Sequence, residues 1–209
     1  MVPDNTLKLG SSGTPPRPYS ISPRCSYRTE RPAVSYTRER ALSSVGHTNL
    51  CLTVIVQGKE HTMKTSIYSL KLMSQKAPEF IDITPQVRDC VAKADVHNGF
   101  VVVFSKHTTA AITINENEPL LLHDMEQFLE RMAPRHGSYQ HNNFSIRTEN
   151  LTVDESPNGH AHCQHLLFHT SETIPIVQSC PLFGRWQCLF FVELDHPRPR
   201  EVVVQVIGE

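Results

Sequence analysis

The chain has 209 residues, of which 39% are hydrophobic, and its formal net charge at pH 7 is −1. This length and composition are sufficient for one sizeable hydrophobic core and predict a single globular domain. A charge near zero gives no general affinity for nucleic acid or for an anionic membrane surface. No apolar run approaches the roughly twenty residues that span a bilayer. We therefore expect neither nucleic acid nor a membrane as a partner.

Residues 1–62 differ in composition from the rest of the chain. They carry eight basic and four acidic residues, a net charge of +4, whereas residues 63–209 carry −5. This basic extension is rich in Ser, Pro and Arg, and such a composition buries too little apolar surface to order itself. It is interpreted either as an organelle transit peptide, although no amphipathic helix is evident, or as a translated upstream stretch before a natural start at Met63. We favour the second interpretation and expect one domain over residues 63–209.

The cysteines favour a reducing compartment. The six of them form neither a CxxC pair nor the short regular spacing of a disulfide framework. We expect no secretory signal and interpret the cysteines as free thiols. The expected location is therefore the cytoplasm, with an organelle as the alternative if residues 1–62 are a transit peptide.

Periodicity and turn signals predict regular elements from Met63 onward. Thr84-Pro85 is a typical helix start, a hydroxyl N-cap followed by proline at the first helical position. Pro134 ends a second helix that opens at Glu118-Pro119. The apolar stripe of this second helix is predicted to be Leu121, Met125, Phe128, Leu129 and Met132. The predicted elements are strands at 65–72, 99–105, 110–114, 173–177, 186–194 and 201–207, helices at 84–95 and 118–133, and a short helical segment at 160–167. The order predicts an α+β fold and excludes a doubly wound sheet.

His107 ends a predicted strand and begins the run His107-Thr108-Thr109-Ala110-Ala111. An imidazole and two hydroxyls before two small residues suit the floor of a pocket in which backbone approaches a ligand. The alternative is a strand-end histidine whose hydrogen bonds are satisfied within the fold.

Carboxylates gather at the start of the second predicted helix. The run Asn115-Glu116-Asn117-Glu118 could hold a cation or cap the helix against its dipole. Capping explains Glu118 well and Glu116 less well. Asp124 falls on the predicted buried stripe, where a carboxylate needs a cation, a metal or several hydrogen bonds. We expect Asp124 to take part in function, the alternative being a buried structural pair with Arg200 or a histidine.

Two further sets of residues are candidates for binding. If the segment at residues 160–167 is helical, His162, His165 and His169, which lies just beyond it, would share one face and could ligate zinc, while His160 would point elsewhere. As a zinc motif this spacing is weak. Glu193 lies within an apolar strand and needs a partner. Arg198 and Arg200 are two apart in an extended segment, so they would face one side and could hold a phosphate, or else form a solvated strand edge.

Seven separated blocks of this sequence resemble the YjbQ-like family in order and spacing, over residues 63–209 and none of residues 1–62. The blocks are His107-Thr-Thr-Ala-Ala-Ile-Thr-Ile-Asn-Glu-Asn-Glu-Pro, His123-Asp124, Tyr139-Gln-His141-Asn, Asn158-Gly-His160-Ala-His, Gly184-Arg-Trp186-Gln187, Glu193-Leu-Asp195 and Gln205-Val-Ile-Gly-Glu. The resemblance implies an α+β fold with a β-sandwich-like core and flanking helices. It also implies a homotrimer with pockets near subunit interfaces, and a divalent metal held by histidines.

The family is credited with a secondary thiamine-phosphate synthase activity, in which the nitrogen of a thiazole phosphate displaces pyrophosphate from a pyrimidine-methyl diphosphate. The resemblance thus implies a small phosphorylated molecule as partner. The implied metal ligands are His107, His141 and His160. Imidazoles favour zinc and the carboxylates of Glu116 and Asp124 favour Mg²⁺, so the metal stays open. Catalytic roles are expected for His107, Asn115, Glu116, Asp124 and His160. Phosphate binding is expected for Arg198 and Arg200, with Arg185 assisting.

The chain also departs from the family pattern at three places, where bulkier residues could narrow or reshape the pocket. These are the pair Phe168-His169, the run Gln178-Ser179-Cys180-Pro181, and His196. Three functions therefore stay open: a low-turnover transferase of the thiamine-phosphate synthase type, a metal-dependent enzyme of another class, and a non-catalytic trimer that binds a metal or a small phosphorylated ligand.

Overall fold

The computed structural model describes residues 53–56 and 59–209. Predictions on residues 1–52, 57 and 58 lie outside the described residues. The strands are β1 (Thr53–Val56), β2 (Lys59–Thr62), β3 (Lys64–Met73), β4 (Glu79–Asp82), β5 (Gly99–Ser105), β6 (Ala110–Glu116), β7 (Ser171–Val177), β8 (Cys180–Pro181), β9 (Gln187–Glu193) and β10 (Pro199–Gly208). The helices are α1 (Thr84–Ala94), α2 (Pro119–Met132) and α3 (Gly159–His165), with a 3-10 turn at Gln140–Asn142. None of the helices in this part of the chain is long and apolar enough to span a membrane.

The strands form two main antiparallel sheets and a separate hairpin. The larger sheet has the order β3-β10-β5-β7-β8 and the smaller one β4-β9-β6, while β1 pairs only with β2 within the described chain. Strand β10 is an interior strand, since it pairs along its whole length with β3 and over Val202–Gly208 with β5. The arrangement is a mixed fold of antiparallel sheets with few helices, and it confirms the predicted α+β class.

The two main sheets share one hydrophobic core. Alternate residues of β10, Val202, Val204 and Val206, are buried in it, and β9 contributes Leu189 and Phe191. A strand places every second side chain on the same face, which is why these positions meet. Burying an aliphatic or aromatic side chain of this kind is worth about 1.5–3 kcal/mol. The strands of the two main sheets are therefore held together by the alternate side chains that they bury in this core.

Strand β9 is covered on both faces. Its remaining residues Phe190 and Val192 belong to a second cluster together with Leu129 of α2 and Ala161 of α3. A strand buried on both sides shows a continuous apolar run in place of alternation. The smaller sheet is consequently a middle layer, with the larger sheet on one side and helices α2 and α3 on the other.

Helix α1 begins differently from the prediction. The hydroxyl cap predicted for Thr84 is wrong, because Thr84 Oγ1 accepts a hydrogen bond from the backbone N–H of Leu189, at 2.8 Å. Asp82 takes over the capping role, with its Oδ1 atom 2.9 Å from the Thr84 N–H. At the other end the helix closes at Asp95 as predicted, in a left-handed conformation with φ of 51°.

Helix α2 confirms one prediction about carboxylates and corrects another. Glu118 is its N-cap and accepts hydrogen bonds from the next two free N–H groups, as expected for that position. The buried position predicted for Asp124 is wrong, and this side chain is exposed. The helix turns Leu122 and Leu129 toward the core, so the neighbouring stripe that contains Phe128, 45% exposed, faces outward.

Candidate functional site

A polar cavity of about 1080 Å³ opens between three loops. One loop connects β5 to β6 and carries His107 and Thr109. The second is the long connection between α2 and α3, and the third joins β9 to β10 and carries His196 and Arg198. The first and third loops join strands that are anchored in the core, and the second joins two helices. A concave, polar site of this size fits a small ligand.

Two arginines form one wall of the cavity. Nη2 of Arg198 and Nη2 of Arg200 each lie 3.1 Å from Oγ1 of Thr109, so both donate to the same hydroxyl oxygen. Arg200 is 6% exposed and Thr109 4% exposed. Period-two spacing does place the two arginines on one side, as the sequence predicted. The prediction of a solvated strand edge does not describe Arg200.

Each arginine is also paired with a buried carboxylate. Arg200 makes a bidentate contact with Glu193, at 2.6 Å from Nε and 2.5 Å from Nη2. Arg198 Nη2 lies 2.6 Å from Oδ2 of Asp195. The sequence predicted a partner for Glu193, and that partner is Arg200. These pairs fix both guanidinium groups before any ligand arrives.

His107 is hydrogen-bonded to the backbone of the residue that follows Arg200. Its Nε2 accepts a hydrogen bond from the backbone N–H of Glu201, at 3.2 Å. A neutral ring that accepts at Nε2 carries its proton at Nδ1, where it can donate to a ligand. Burial lowers the pKa of His107 below its ordinary value of 6.5, and the positive charge of Arg200 lowers it further. His107 is therefore a neutral donor near neutral pH.

His141 and His162 contact each other edge-on in the lining of the cavity. Their ring centroids are 4.7 Å apart, and burial lowers the pKa of His162, followed by the effect of His141. Glu155 Oε1 lies 3.8 Å from Nε2 of His141 and 2.5 Å from Nη1 of Arg147. The pKa of Glu155 is lowered, chiefly by its hydrogen bond with Arg147. The second loop therefore brings its own ion pair to the site.

A glycine permits the two histidines to meet. The backbone N–H of Gly159, at the start of α3, donates to Asn142 Oδ1 at 2.9 Å. A Cβ atom at Gly159 would lie 2.6 Å from the Cβ atom of Tyr139. Any larger residue would therefore push α3, which carries His162, away from the turn that carries His141.

Some of the residues predicted for the site line the cavity, and others do not. His107, His141, Arg198 and Arg200 line the cavity. His160 is 2% exposed, and its Nδ1 atom has no hydrogen-bond partner in the described chain. Burial lowers its pKa, and the charge of Arg135 adds to the effect. His160 is therefore buried and is absent from the described lining of the cavity.

The other predicted residues lie elsewhere. Asn115 is exposed and its amide nitrogen donates to Met125 Sδ at 3.3 Å. Glu116 ends β6 opposite Gln187 of β9, and Asp124 is on the outer surface of α2. Arg185 stacks on the ring of Trp186, 4.5 Å from its centroid. Asn115, Glu116, Asp124 and Arg185 are absent from the described lining of the cavity.

Helix α3 is shorter than a shared histidine face requires. It ends at His165, so His169 lies beyond it, where the side chain is 79% exposed and pairs with Glu172. His165 is half-buried, and burial lowers its pKa. The predicted zinc face of three histidines is therefore wrong, and among them His162 lines the cavity.

Sequence reasoning gave too little weight to several residues of the lining. His162 was considered only as part of a weak zinc face, Thr109 only as one of two hydroxyls on a pocket floor, and His196 only as a departure from the family. No signal in the polar loop marked Arg147 or Glu155. Of the residues at these departures, His196 lines the cavity, whereas Phe168 packs edge-on against Phe80 in the second hydrophobic cluster.

The metal ligands expected from the resemblance come together only in part. No group of three or more His, Cys, Asp or Glu side chains in the described residues is placed to hold a metal ion. Nε2 of His141 is buried without a hydrogen-bond partner in this part of the chain, which suits a nitrogen that binds something else. His141 and His162 are in contact in the lining, whereas Nε2 of His107 accepts a hydrogen bond from Glu201.

Comparison with known proteins identifies the class that this fold and cavity define. The profile of the family described as UPF0047 protein YjbQ-like matches residues 68–209. A UPF0047 protein of Methanothermobacter thermautotrophicus is 37% identical over 147 residues, which are 70% of this chain and 95% of that protein. YugU of Bacillus subtilis is 28% identical, over 67% of this chain and 98% of its own length.

Solved structures agree. A YbjQ-like protein of unknown function from Sulfolobus solfataricus is 31% identical, with a TM-score of 0.63 over 70% of this chain and 99% of that chain. A YjbQ/UPF0047 protein of Clostridium acetobutylicum is 37% identical, with a TM-score of 0.56 over 68% of this chain and 98% of its own. The chain belongs to the YjbQ-like UPF0047 family, and the resemblance found in the sequence is confirmed.

Proposed function

We propose that the cavity binds a small phosphorylated molecule and that the chain is a low-turnover transferase of the thiamine-phosphate synthase type. The observation that carries the proposal is the convergence of Arg198 and Arg200 on the hydroxyl of Thr109. Guanidinium groups held in a fixed position are the side chains best suited to bind phosphate oxygens. The resemblance to the family supplies the particular reaction.

The charge of the lining supports an anionic ligand. Four cationic side chains, from Lys106, Arg147, Arg198 and Arg200, line the cavity with three carboxylates and four histidines. Nδ1 of His107 adds a neutral donor beside Arg200. The cationic side chains outnumber the carboxylates of the lining by one, which favours a molecule that brings oxygen acceptors, as a diphosphate does.

The proposed reaction asks the protein mainly for charge stabilisation. The thiazole nitrogen that attacks has no proton to lose, and the carbon–oxygen bond to pyrophosphate breaks as the carbon–nitrogen bond forms. Negative charge accumulates on the departing pyrophosphate, where Arg198 and Arg200 would stabilise it. A divalent metal held by His141 and His162 would neutralise part of the same charge.

The homotrimer also enters as a proposal. The outer face of the larger sheet exposes Ile67 (68%), Phe104 (41%) and Phe100 (37%), and apolar patches of this kind mark association surfaces. We propose that this face contacts a second copy. Roles for Asn115, Glu116 and Asp124 in catalysis would need a neighbouring subunit, because these residues lie outside the cavity of their own chain.

A non-catalytic binding protein is the second candidate. It is favoured by the two arginine–carboxylate pairs, since Glu193 and Asp195 already offset much of the positive charge that a leaving group would meet. In this case a phosphorylated ligand would bind without turnover.

Three measurements test the phosphate site and distinguish the two candidates. Calorimetric titration of the full chain with pyrophosphate tests the phosphate site, and saturable binding is expected. Formation of thiamine phosphate from the two proposed substrates, together with rescue of a strain that lacks its main thiamine-phosphate synthase, tests the transferase. Binding without product, and no rescue at high expression, would leave the binding protein as the function.

A further inference from the structure

A buried carboxylate positions an imidazole at the mouth of the cavity. Asp195 is 1% exposed, and its Oδ2 atom lies 3.0 Å from Nδ1 of His196. The same oxygen lies 2.6 Å from Nη2 of Arg198. The Asp195 N–H donates to Glu193 Oε1 at 3.0 Å, and its carbonyl oxygen accepts from Arg135. Asp195 is therefore held in place by contacts of both its side chain and its backbone.

This contact decides which nitrogen of His196 is basic. The negative charge of this carboxylate oxygen, 3.0 Å from Nδ1, favours the proton on Nδ1 and leaves the lone pair on Nε2; Ser156 Oγ lies 3.5 Å from the same nitrogen. His196 lines the cavity and its side chain is 39% exposed, so the ring can reach solvent and ligand. A histidine oriented by a buried carboxylate is the arrangement that enzymes use to take a proton from a nucleophile.

The other imidazoles of the lining are less suited to that task. His107 accepts the Glu201 N–H at its Nε2 atom. His141 and His162 contact each other edge-on, with the nearest carboxylate oxygen 3.8 Å from His141 Nε2. His196 is the cavity histidine with a carboxylate oxygen within hydrogen-bond distance in the described structure.

We propose that His196 and Asp195 form a general-base pair that gives this chain a phosphatase activity toward small phosphate monoesters. The inference rests on the proposed phosphate site at Arg198 and Arg200. It adds an activity, because the thiazole nitrogen of the proposed transferase has no proton to give up and needs no base.

The step balances with water as the nucleophile. Nε2 of His196 takes a proton from water while the water oxygen forms a bond to phosphorus. The bond between phosphorus and the ester oxygen breaks, and its electron pair leaves with that oxygen. Arg198, linked to His196 through Asp195, holds the phosphoryl oxygens beside the base. The imidazolium then returns its proton to solvent.

Hydrolysis of p-nitrophenyl phosphate by the full chain tests the inference, because p-nitrophenolate leaves without needing an acid. His196→Gln is expected to lower the rate about 100-fold or more, the usual contribution of a general base. The matched control is His169→Gln, which removes a histidine 3.6 Å from Glu172 outside the cavity and should leave the rate unchanged. Nitrogen-15 NMR should show the proton of His196 on Nδ1.

The outcomes separate this inference from the proposed function. Wild-type chain that binds pyrophosphate but releases no p-nitrophenolate overturns the phosphatase and leaves the phosphate site intact. Equal rates for His196→Gln and wild type, or a proton on Nε2 of His196, also overturn it. Wild-type chain that binds no pyrophosphate overturns the phosphate site and the phosphatase with it.

Discussion

Arg198 and Arg200 donate to one and the same oxygen, the hydroxyl of Thr109, each at 3.1 Å. Their guanidinium groups are thus neighbours, although like charges repel. Asp195 and Glu193 make this possible by pairing with one arginine each. The two arginines therefore have different roles. Arg200 is buried with its partner and stabilises the fold, whereas Arg198 is half-buried at the cavity and is the one available to a ligand.

Replacing Arg198 should weaken phosphate binding more than it disturbs the fold. In Arg198→Lys the charge stays but the planar fork is lost, so we expect the Kd for pyrophosphate to rise about tenfold, or roughly 1.4 kcal/mol. Calorimetric titration measures the change. Arg185→Lys is the control, because Arg185 is exposed on Trp186, and an equal effect of both variants would contradict the assignment.

Replacing Arg200 should instead destabilise the protein. Arg200→Met leaves Glu193 buried without its partner, at a cost of about 3–5 kcal/mol in the free energy of unfolding. Urea denaturation followed by circular dichroism measures it. The double variant Arg200→Met, Glu193→Met removes both charges and should recover a large part of the loss. A double variant as unstable as the single one would show that the charge left behind is not the cause.

The buried histidines predict how stability depends on pH. Burial lowers the pKa of His107, His160, His162 and His165 below 6.5, so the unfolded chain binds more protons than the folded one as the pH falls through 6.5. Their stabilising effect is complete above 6.5 and is lost toward the lower folded pKa. We expect the urea midpoint to fall between pH 7.5 and pH 5.5.

Removing one of these histidines should flatten that dependence. His160→Met deletes the most buried of the four, and the fall in its urea midpoint between pH 7.5 and pH 5.5 should be smaller than that of wild type. His162→Met serves the same purpose if His160→Met does not fold. Slopes identical to wild type in both variants would refute the assignment of the effect to these imidazoles.

Metal content distinguishes the ligand set implied by the resemblance from the pair that the structure brings together. After incubation with Zn²⁺ we expect about one metal per chain, lost in His141→Ala and in His162→Ala. His107→Ala should retain the metal, as should the exposed control His136→Ala. Loss in His107→Ala and His160→Ala, with retention in His162→Ala, would instead support the set drawn from the sequence. Elemental analysis of dialysed protein gives the result.

The sequence predicted elements best where one physical signal dominated. Gly99–Ser105 was predicted to the residue because a β-branched and aromatic run follows a clear turn. Helix α2 was located by its proline and its cap, yet its buried side was misread at Asp124, because two neighbouring apolar stripes differ by a rotation of about 100°. Only packing against β9 decides between them.

The site was harder to predict than the fold. Arg198 and Arg200 could be found because alternate residues of a strand share a side. Choosing His162 over His160 depends on the rotation of a seven-residue helix, which in turn depends on the closeness of Gly159 to Tyr139. Arg147 and Glu155 lie in a loop without periodicity, so nothing in the local sequence relates them to the cavity.

The place of β10 between β3 and β5 has a consequence for how the chain folds during its synthesis. Strand β3 and strand β5 have no contact in the larger sheet except through residues 199–208, which are made more than ninety residues later than β5. A nascent chain that ends before Pro199 holds two strands without their common neighbour, and Glu193 without Arg200. The sheet and the cavity wall should therefore form together, in one late step, once β10 has emerged from the ribosome.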